Sequence, residues 1–147
     1  MAELLIRKAE AKDVDGLLEL YRQLASSGEL PSAVDAVMVI ELTDSNPWML
    51  FQVAELDDVV VGTVTMVVVP AVTHSAQPGA QIDHMVVHEA NRGTGIGHAM
   101  LVRCEEHIRS FGGYKMQLQS SNHRDDAHKF YEHEGFSASS RGYRRYL

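Results

Sequence analysis

The chain lacks several features that would assign it to a special class of protein. It has a single cysteine, Cys104, which excludes an intrachain disulfide framework and fits a reducing compartment. The longest apolar run, VVVGTVTMVVVPAV, is interrupted by Gly62, Thr63 and Thr65 and is too short to cross a bilayer as a helix. The N-terminal segment carries charges where a signal peptide needs an apolar core. We therefore expect a cytoplasmic protein with no membrane partner.

The chain also has few positive charges. It contains 13 Lys and Arg residues and 20 Asp and Glu residues, which give a net charge of −7. Nucleic-acid binding needs a basic face, so we expect no nucleic-acid partner. No linker, repeat or low-complexity segment interrupts the sequence, and 45% of its residues are apolar. We therefore expect residues 1–147 to form a single domain with its own hydrophobic core.

The hydrophobic pattern alternates between strand and helix periods along the chain. Strands are predicted where β-branched and aromatic residues cluster, at residues 4–8, 48–56, 59–69, 80–87, 114–120 and 136–147. Four helices are predicted. The first runs from an N-cap at Asp13 to near Gly28, the second starts after Pro31, and the last two span residues 96–111 and 124–136. The pair Asp57 and Asp58 is expected to form a tight hairpin turn. Cys104 falls on the apolar side of the third helix, where an ordinary core residue is expected.

The order of these elements favours an α/β fold with a mixed sheet and helices on its faces. Sequential strands joined by short connections pair antiparallel most readily. The later strand–helix–strand crossover favours a parallel pair.

Three glycines, Gly93, Gly95 and Gly97, lie in the stretch EANRGTGIGHAM between a predicted strand and a predicted helix. The first turn of a helix has unpaired N–H groups and the positive end of the helix dipole, so it can bind an anion. Each glycine lacks the Cβ that would keep a phosphate away, and Arg92 adds a charge suited to phosphate oxygens. A plain glycine-rich turn is the alternative. The stretch does not match the P-loop or the dinucleotide fingerprint.

The run from Arg92 to Gly97 closely resembles the pattern Gln/Arg-x-x-Gly-x-Gly/Ala, which is the acetyl-CoA pyrophosphate loop of the GNAT superfamily of N-acyltransferases. About thirty residues later, DDAHKFYEHEGF resembles the second signature of that family, which contains Tyr-Glu-x-x-Gly-Phe. The resemblance covers residues 48–147 best. It implies a central mixed sheet of about six to seven strands flanked by about four helices, and it favours a CoA cradle over a plain turn.

The resemblance also implies where acetyl-CoA, the cosubstrate, would bind. In such enzymes two neighbouring strands splay apart, and the pantetheine arm lies in the gap. The implied backbone contacts to the acetyl group and pantetheine are Met85, Val86 and Val87. The residues implied to hold the pyrophosphate are Arg92, Gly93, Thr94, Gly95, Ile96 and Gly97. His98, Asn122 and Tyr131 are implied as further contacts to the cosubstrate. Arg124 occupies the position where the family often has a pantetheine-binding Asn, and Asn122 lies two residues before it.

Three residues are candidates for proton transfer. Tyr131 matches the family tyrosine that often protonates the departing CoA thiolate, and a phenol with a pKa near ~10 is protonated at neutral pH. Asp83 and His84 lie on the strand that should contact the acetyl group, and either is a candidate base for the amine. Side chains alternate across a strand, so only one of the two is expected to face the cleft. His84 is slightly favoured because a histidine pKa of about 6.5 suits a base, and a non-catalytic role for either is the alternative.

The implied reaction is direct transfer of the acetyl group to a primary amine of a small molecule in a ternary complex. The second signature and the basic tail RGYRRYL resemble acetyltransferases that act on aminoalkylphosphonates and glucosamine phosphate. Arg141, Arg144 and Arg145 would meet an anionic substrate group or lie in solvent. Peptide or protein acetylation, and a sensor that holds acyl-CoA without turnover, are the alternatives.

Two further expectations concern metals and assembly. The chain has eight histidines, but no pair of them has a compact ligand spacing with a supporting acid or cysteine, so no metal site is expected. A homodimer is expected only by analogy with small members of the family.

Overall fold

The computed structural model describes residues 2–24 and 28–147. Within these ranges, five strands form one mixed sheet in the order β1-β2-β3-β4-β5. The strands are β1 (Leu4–Lys8), β2 (Met49–Leu56), β3 (Val59–Val69), β4 (Gly79–Val87) and β5 (Lys115–Leu118). The helices are α1 (Val14–Leu24), α2 (Ala33–Asp44), α3 (Ile96–Ser110) and α4 (Asp125–His133). No helix in these two ranges has both the length and the apolar character needed to span a membrane.

The strand pairing confirms the mixed sheet. The strands β1 to β4 pair antiparallel in sequential order, and β5 pairs parallel to β4 after the α3 crossover. Asp57 and Asp58 connect β2 to β3 with φ angles of 49° and 65°. Two successive positive φ angles characterise the type I′ turn, whose twist matches that of the flanking strands.

Helices cover both faces of the sheet. On β2, the adjacent residues Val53 and Ala54 are both buried but belong to different core clusters. Val53 packs with α1 and α2, whereas Ala54 packs with α3. Because successive side chains of a strand point to opposite faces, the two clusters lie on opposite sides of the sheet.

The long helix α3 follows the predicted apolar stripe. Its buried residues are Ile96, Gly97, Met100, Leu101, Cys104 and Ile108. Gly95 caps the N-terminus in the left-handed conformation, and Gly112 follows the C-terminus with a φ of 72°. Burial raises the pKa of the Cys104 thiol to about 12, against a hydrogen bond from Gln52, so the thiol is protonated at neutral pH. Cys104 is therefore a core residue, as predicted.

The predicted strand at residues 136–147 is absent, so the sheet has five strands rather than six to seven. Phe136 is half-buried against the core, but residues 137–147 are exposed and form neither helix nor strand. A strand needs a partner for its backbone groups and an apolar face to bury. This serine- and arginine-rich tail provides little apolar surface for that.

The start of α1 also differs from the prediction. Asp13 is not its N-cap, because a short 3₁₀ turn at Ala11–Asp13 precedes the helix and is capped by Glu10. The Asp13 carboxylate accepts a hydrogen bond from the Glu10 backbone N–H at 2.7 Å. At the other end, α1 is described as far as Leu24. The predicted end near Gly28 involves residues 25–27, which lie outside the described residues.

A buried ion cluster explains why Asp13 is used differently. The Arg7 guanidinium donates two hydrogen bonds of 2.8 Å to the Asp13 carboxylate and a third, from Nε, to Glu55 at 3.1 Å. The Asp13 side chain is only 3% exposed. Burial favours a higher pKa for Asp13, but the hydrogen bonds from Arg7 and from the Glu10 backbone outweigh it and hold the pKa below its usual value. The cluster joins β1, β2 and the start of α1.

We expect Asp13→Asn to lower the free energy of unfolding at neutral pH by about 1–3 kcal/mol, since a buried cation loses a charged partner. The pKa of Asp13 is lowered by folding, so its contribution is complete above the unfolded pKa of about 3.9. The contribution is lost as the pH falls through the lower, folded pKa. Urea unfolding of both proteins from pH 7 to acid should therefore show a difference that narrows below about pH 4.

Glu19→Gln is the matched control, because it removes an exposed ion pair with Arg22. It should change stability by less than about 0.5 kcal/mol. Equal losses for the two variants at neutral pH would contradict the structural role of the Arg7 cluster.

Candidate active site

The strand β4 pairs with β5 along only the first part of its length. Gly79–Ile82 of β4 pairs with Lys115–Leu118 of β5. From Asp83 to Val87, β4 pairs with β3 alone and has no strand partner on the β5 side within the described ranges. The backbone groups on that side of β4 are therefore left to partners other than a strand. The expected contact residues Met85, Val86 and Val87 all lie along this gap.

A β-bulge lies in the same part of β4. Thr65 pairs with Asp83 and Thr63 pairs with Val86, so two residues of β4, His84 and Met85, oppose a single residue of β3. His84 has a φ of 51°, an uncommon value for a residue with a side chain. The bulge interrupts the alternation from which we expected only one of Asp83 and His84 to face the cleft. Both side chains are exposed, because the extra residue shifts the pleat.

The His84 side chain has neighbours from two other elements. The ring of Tyr21, on α1, meets it edge-on, with 6.4 Å between ring centroids and 78° between planes. The hydroxyl oxygen of Thr65, on β3, lies 3.4 Å from His84 Nδ1. The sequence did not identify Tyr21 or Thr65 as site residues, because nothing in a linear pattern marks the bulge that brings His84 against them.

The loop before α3 exposes its backbone at two glycines. Gly93 and Gly95 have φ angles of 74° and 88°, which L-residues rarely adopt. No atom lies within 4 Å of the position that a Cβ would take at either residue. These glycines combine a required backbone conformation with open space at the N-terminus of a 15-residue helix. Open backbone N–H groups at a helix N-terminus are the arrangement that an anion-binding site requires.

The sequence suggested that Gly97 is a glycine so that phosphate can reach the backbone, but the structure shows a packing role. It is buried, and a Cβ there would lie 2.8 Å from Cζ of Phe130 and 3.5 Å from Cε of Met85. The missing Cβ thus lets α4 pack closely on α3 beside β4. Ile96 is also buried, with 3% of the residue exposed, and its side chain packs in the core cluster.

The remaining loop side chains make contacts within the protein. Arg92 is exposed and donates from Nε to the carbonyl oxygen of Val87 at 3.1 Å. The Thr94 hydroxyl donates to the Asn91 carbonyl oxygen. His98 Nδ1 lies 2.7 Å from a carboxylate oxygen of Glu134, which connects the first turn of α3 to the end of α4.

Tyr131 lies on α4 among aromatic side chains. Its ring meets Phe130 and Phe136 edge-on, with centroid distances of 5.3 Å and 5.9 Å. Burial raises the pKa of Tyr131, and the nearby positive charge of Arg124 opposes this effect only partly. The phenol is therefore protonated at neutral pH. Asn122 is exposed in the connection between β5 and α4.

The packing brings part of the expected site together. Met85 of β4, Gly97 of α3 and Phe130 of α4 meet at one point, and Tyr131 adjoins Phe130. His84 lies next to Met85 in sequence, but its side-chain contacts are with α1 and β3. Among residues 2–24 and 28–147, no group of three or more His, Cys, Asp or Glu residues is arranged to hold a metal ion.

Comparison with known proteins gives a match of residues 14–136 to the acetyltransferase (GNAT) family. Aminoalkylphosphonate N-acetyltransferase of Salmonella typhimurium is 28% identical over 134 residues, which are 91% of this chain and 85% of that protein. Glucosamine 6-phosphate N-acetyltransferase of Trypanosoma brucei brucei is 34% identical over 82 residues, 56% of this chain and 54% of that protein. A solved candidate acetyltransferase of Agrobacterium tumefaciens superposes with a TM-score of 0.88 and 31% identity, covering 97% of this chain and 99% of that one.

We expect Gly97→Ala and Phe130→Leu to be energetically coupled, because the new Cβ and the Phe130 ring compete for the same space. Gly97→Ala should lower the free energy of unfolding by about 1–2 kcal/mol more in the wild-type background than in the Phe130→Leu background. A double-mutant cycle of urea unfolding measures this difference. Gly93→Ala is the control for coupling: its φ of 74° gives it a cost of its own, but no atom lies near its added Cβ, so its effect should add to that of Phe130→Leu. Additive effects of Gly97→Ala and Phe130→Leu would contradict the packing role of Gly97.

Proposed function

Because the chain belongs to the acetyltransferase (GNAT) family, we propose that it transfers the acetyl group of acetyl-CoA to a primary amine of a small molecule. The observation that carries this proposal is the gap beside Asp83–Val87, together with the open glycine loop that follows it. The gap offers strand backbone to an extended arm. The loop offers helix N-terminal N–H groups to a pyrophosphate.

In this proposal acetyl-CoA is held mainly by the backbone. Met85, Val86 and Val87 contact the acetyl and pantetheine groups, and an N–H of Val86 or Val87 polarises the thioester carbonyl. The pyrophosphate is held by N–H groups of residues 92–98, which include the exposed Gly93 and Gly95. Arg92 is exposed beside the loop and supplies positive charge. Asn122 is a further contact for pantetheine.

The chemistry requires one base and one acid. His84, or alternatively Asp83, accepts a proton from the ammonium form of the substrate, and the free amine nitrogen attacks the thioester carbon. The tetrahedral intermediate passes the second nitrogen proton to solvent and collapses, so that an N–C bond replaces the C–S bond. The protonated base later returns its own proton to solvent. Tyr131 donates its proton to the departing thiolate, and solvent reprotonates the tyrosine. The products are the acetamide and free CoA.

The first candidate substrates are amines that carry a phosphate or phosphonate. Two relatives are named for such substrates, aminoalkylphosphonate and glucosamine 6-phosphate. Arg141, Arg144 and Arg145 are exposed in the tail, where simple solvation is favoured and contact with an anionic substrate group is the alternative. A peptide substrate and an acyl-CoA sensor without turnover are the alternatives. The cytoplasmic location and the homodimer stay predictions.

A panel of amines incubated with the purified protein and acetyl-CoA tests the proposal directly. We expect free CoA, detected as thiol, to form with at least one small primary amine faster than in a control without amine. The panel should contain aminoalkylphosphonates, amino sugar phosphates and short peptides. Tight binding of acetyl-CoA without CoA release for any amine would support the sensor instead.

Tyr131→Phe should lower kcat by about 100-fold, because general acid catalysis contributes at least that much in typical enzymes. The Kd for acetyl-CoA should not change, since the phenol acts on the leaving group. In the wild type, the acid should be lost only above the usual tyrosine range, because burial raises the pKa of Tyr131.

Tyr114→Phe is the matched control, because Tyr114 stacks on His74, outside the proposed site. It should leave kcat unchanged. If the kcat of Tyr131→Phe equals that of the wild type across the whole pH range, Tyr131 is not the acid.

A further inference from the structure

We propose that Thr65 is a positioning residue that sets the tautomer of His84, with the proton on Nδ1 and a free lone pair on Nε2. The catalytic meaning of this arrangement rests on the proposed function, in which His84 accepts a proton from the amine. The tautomer itself is a property of the folded chain and is measurable without any substrate.

The hydrogen-bond pattern of Thr65 carries the inference. Its hydroxyl donates to the carbonyl oxygen of Asp83 at 3.0 Å. A threonine hydroxyl has one proton, and a carbonyl oxygen can only accept, so that proton is committed to Asp83. The same Thr65 oxygen lies 3.4 Å from His84 Nδ1. With the hydroxyl proton already used, Oγ1 can only accept at this second contact, and Nδ1 must be the donor.

The strand pairing keeps these groups together. Thr65 is the registered partner of Asp83 across β3 and β4, and the bulge begins at the next residue of β4. The bulge, with its φ of 51° at His84, directs the imidazole back toward Thr65 rather than continuing the alternation of the strand. The Tyr21 ring meets the imidazole edge-on from α1.

A neutral imidazole has one protonated and one unprotonated nitrogen, so a proton on Nδ1 leaves Nε2 as the acceptor. Nε2 is the atom that would take the proton from a substrate amine. The titratable residues nearest the ring are Tyr21 on α1, which meets it edge-on, and Asp83, which precedes His84 on β4, whereas Thr65 is neutral. Thr65 therefore acts through hydrogen-bond geometry and not through charge.

Long-range ¹H–¹⁵N correlation spectra of the ¹⁵N-labelled protein above the histidine titration range test the proposal. His84→Gln identifies the His84 signals among those of the eight histidines. The wild type should show the Nδ1-protonated form. Thr65→Val, which keeps the β-branched shape but loses the hydroxyl, should shift His84 toward the Nε2-protonated form that free imidazoles favour. Thr65→Ser should retain the wild-type pattern.

Turnover with an amine from the panel provides a second measurement. Thr65→Val should lower kcat about fivefold, the effect of losing one weak hydrogen bond. The KM for acetyl-CoA should not change, and Thr65→Ser should restore kcat to within about twofold of the wild type. A thermal unfolding curve for each variant separates this effect from a loss of fold.

An Nε2-protonated His84 in the wild type, or a tautomer that Thr65→Val leaves unchanged, would overturn the assignment of Thr65. The proposed function fails on a different observation. If no amine releases CoA while the spectra respond to Thr65 as expected, Thr65 sets the tautomer but the acetyltransferase reaction is wrong.

Discussion

The candidate site depends on one constraint, which is that β4 must leave β5 after Ile82 while keeping its pairing with β3. A strand that loses a partner exposes a row of N–H and C=O groups, and these must be satisfied by water or by a ligand. The bulge at His84 and Met85 accompanies this change, since an extra residue increases the local twist of β4. The gap and the unusual placement of His84 are thus two results of the same distortion.

The glycine loop works with this gap because α3 starts immediately beyond β4. Gly93 and Gly95 shape the loop and leave its backbone open, whereas Gly97 allows Phe130 of α4 to approach α3. Phe130 in turn adjoins Tyr131. The glycine motif therefore packs the helix that carries the proposed acid, and it also leaves open the backbone that is proposed to bind the anion.

The contacts that stabilise the fold lie away from the gap and the glycine loop. Two core clusters pack on opposite faces of the sheet, and the Arg7 cluster connects β1, β2 and the start of α1. The gap between β4 and β5 can stay unpaired because β4 is still paired with β3 on both sides of the bulge, at Asp83 and at Val86–Val87. The acidic partners of Arg7 illustrate the limit of local patterns. Asp13 is a good N-cap by sequence, yet its carboxylate accepts from the Glu10 backbone and from Arg7, which the distant Glu55 also binds.

The sequence by itself determined the element order, the hairpin turn at Asp57 and Asp58, the α3 stripe and the family, because periodicity, turn residues and two motifs are local properties. It did not determine whether the tail at 137–147 would pair, since a strand exists only with a partner. Tertiary structure alone decided the bulge at His84, the neighbours Thr65 and Tyr21, and the packing role of Gly97. Each of these depends on contacts between residues far apart in the chain, whose register and distance no local pattern encodes.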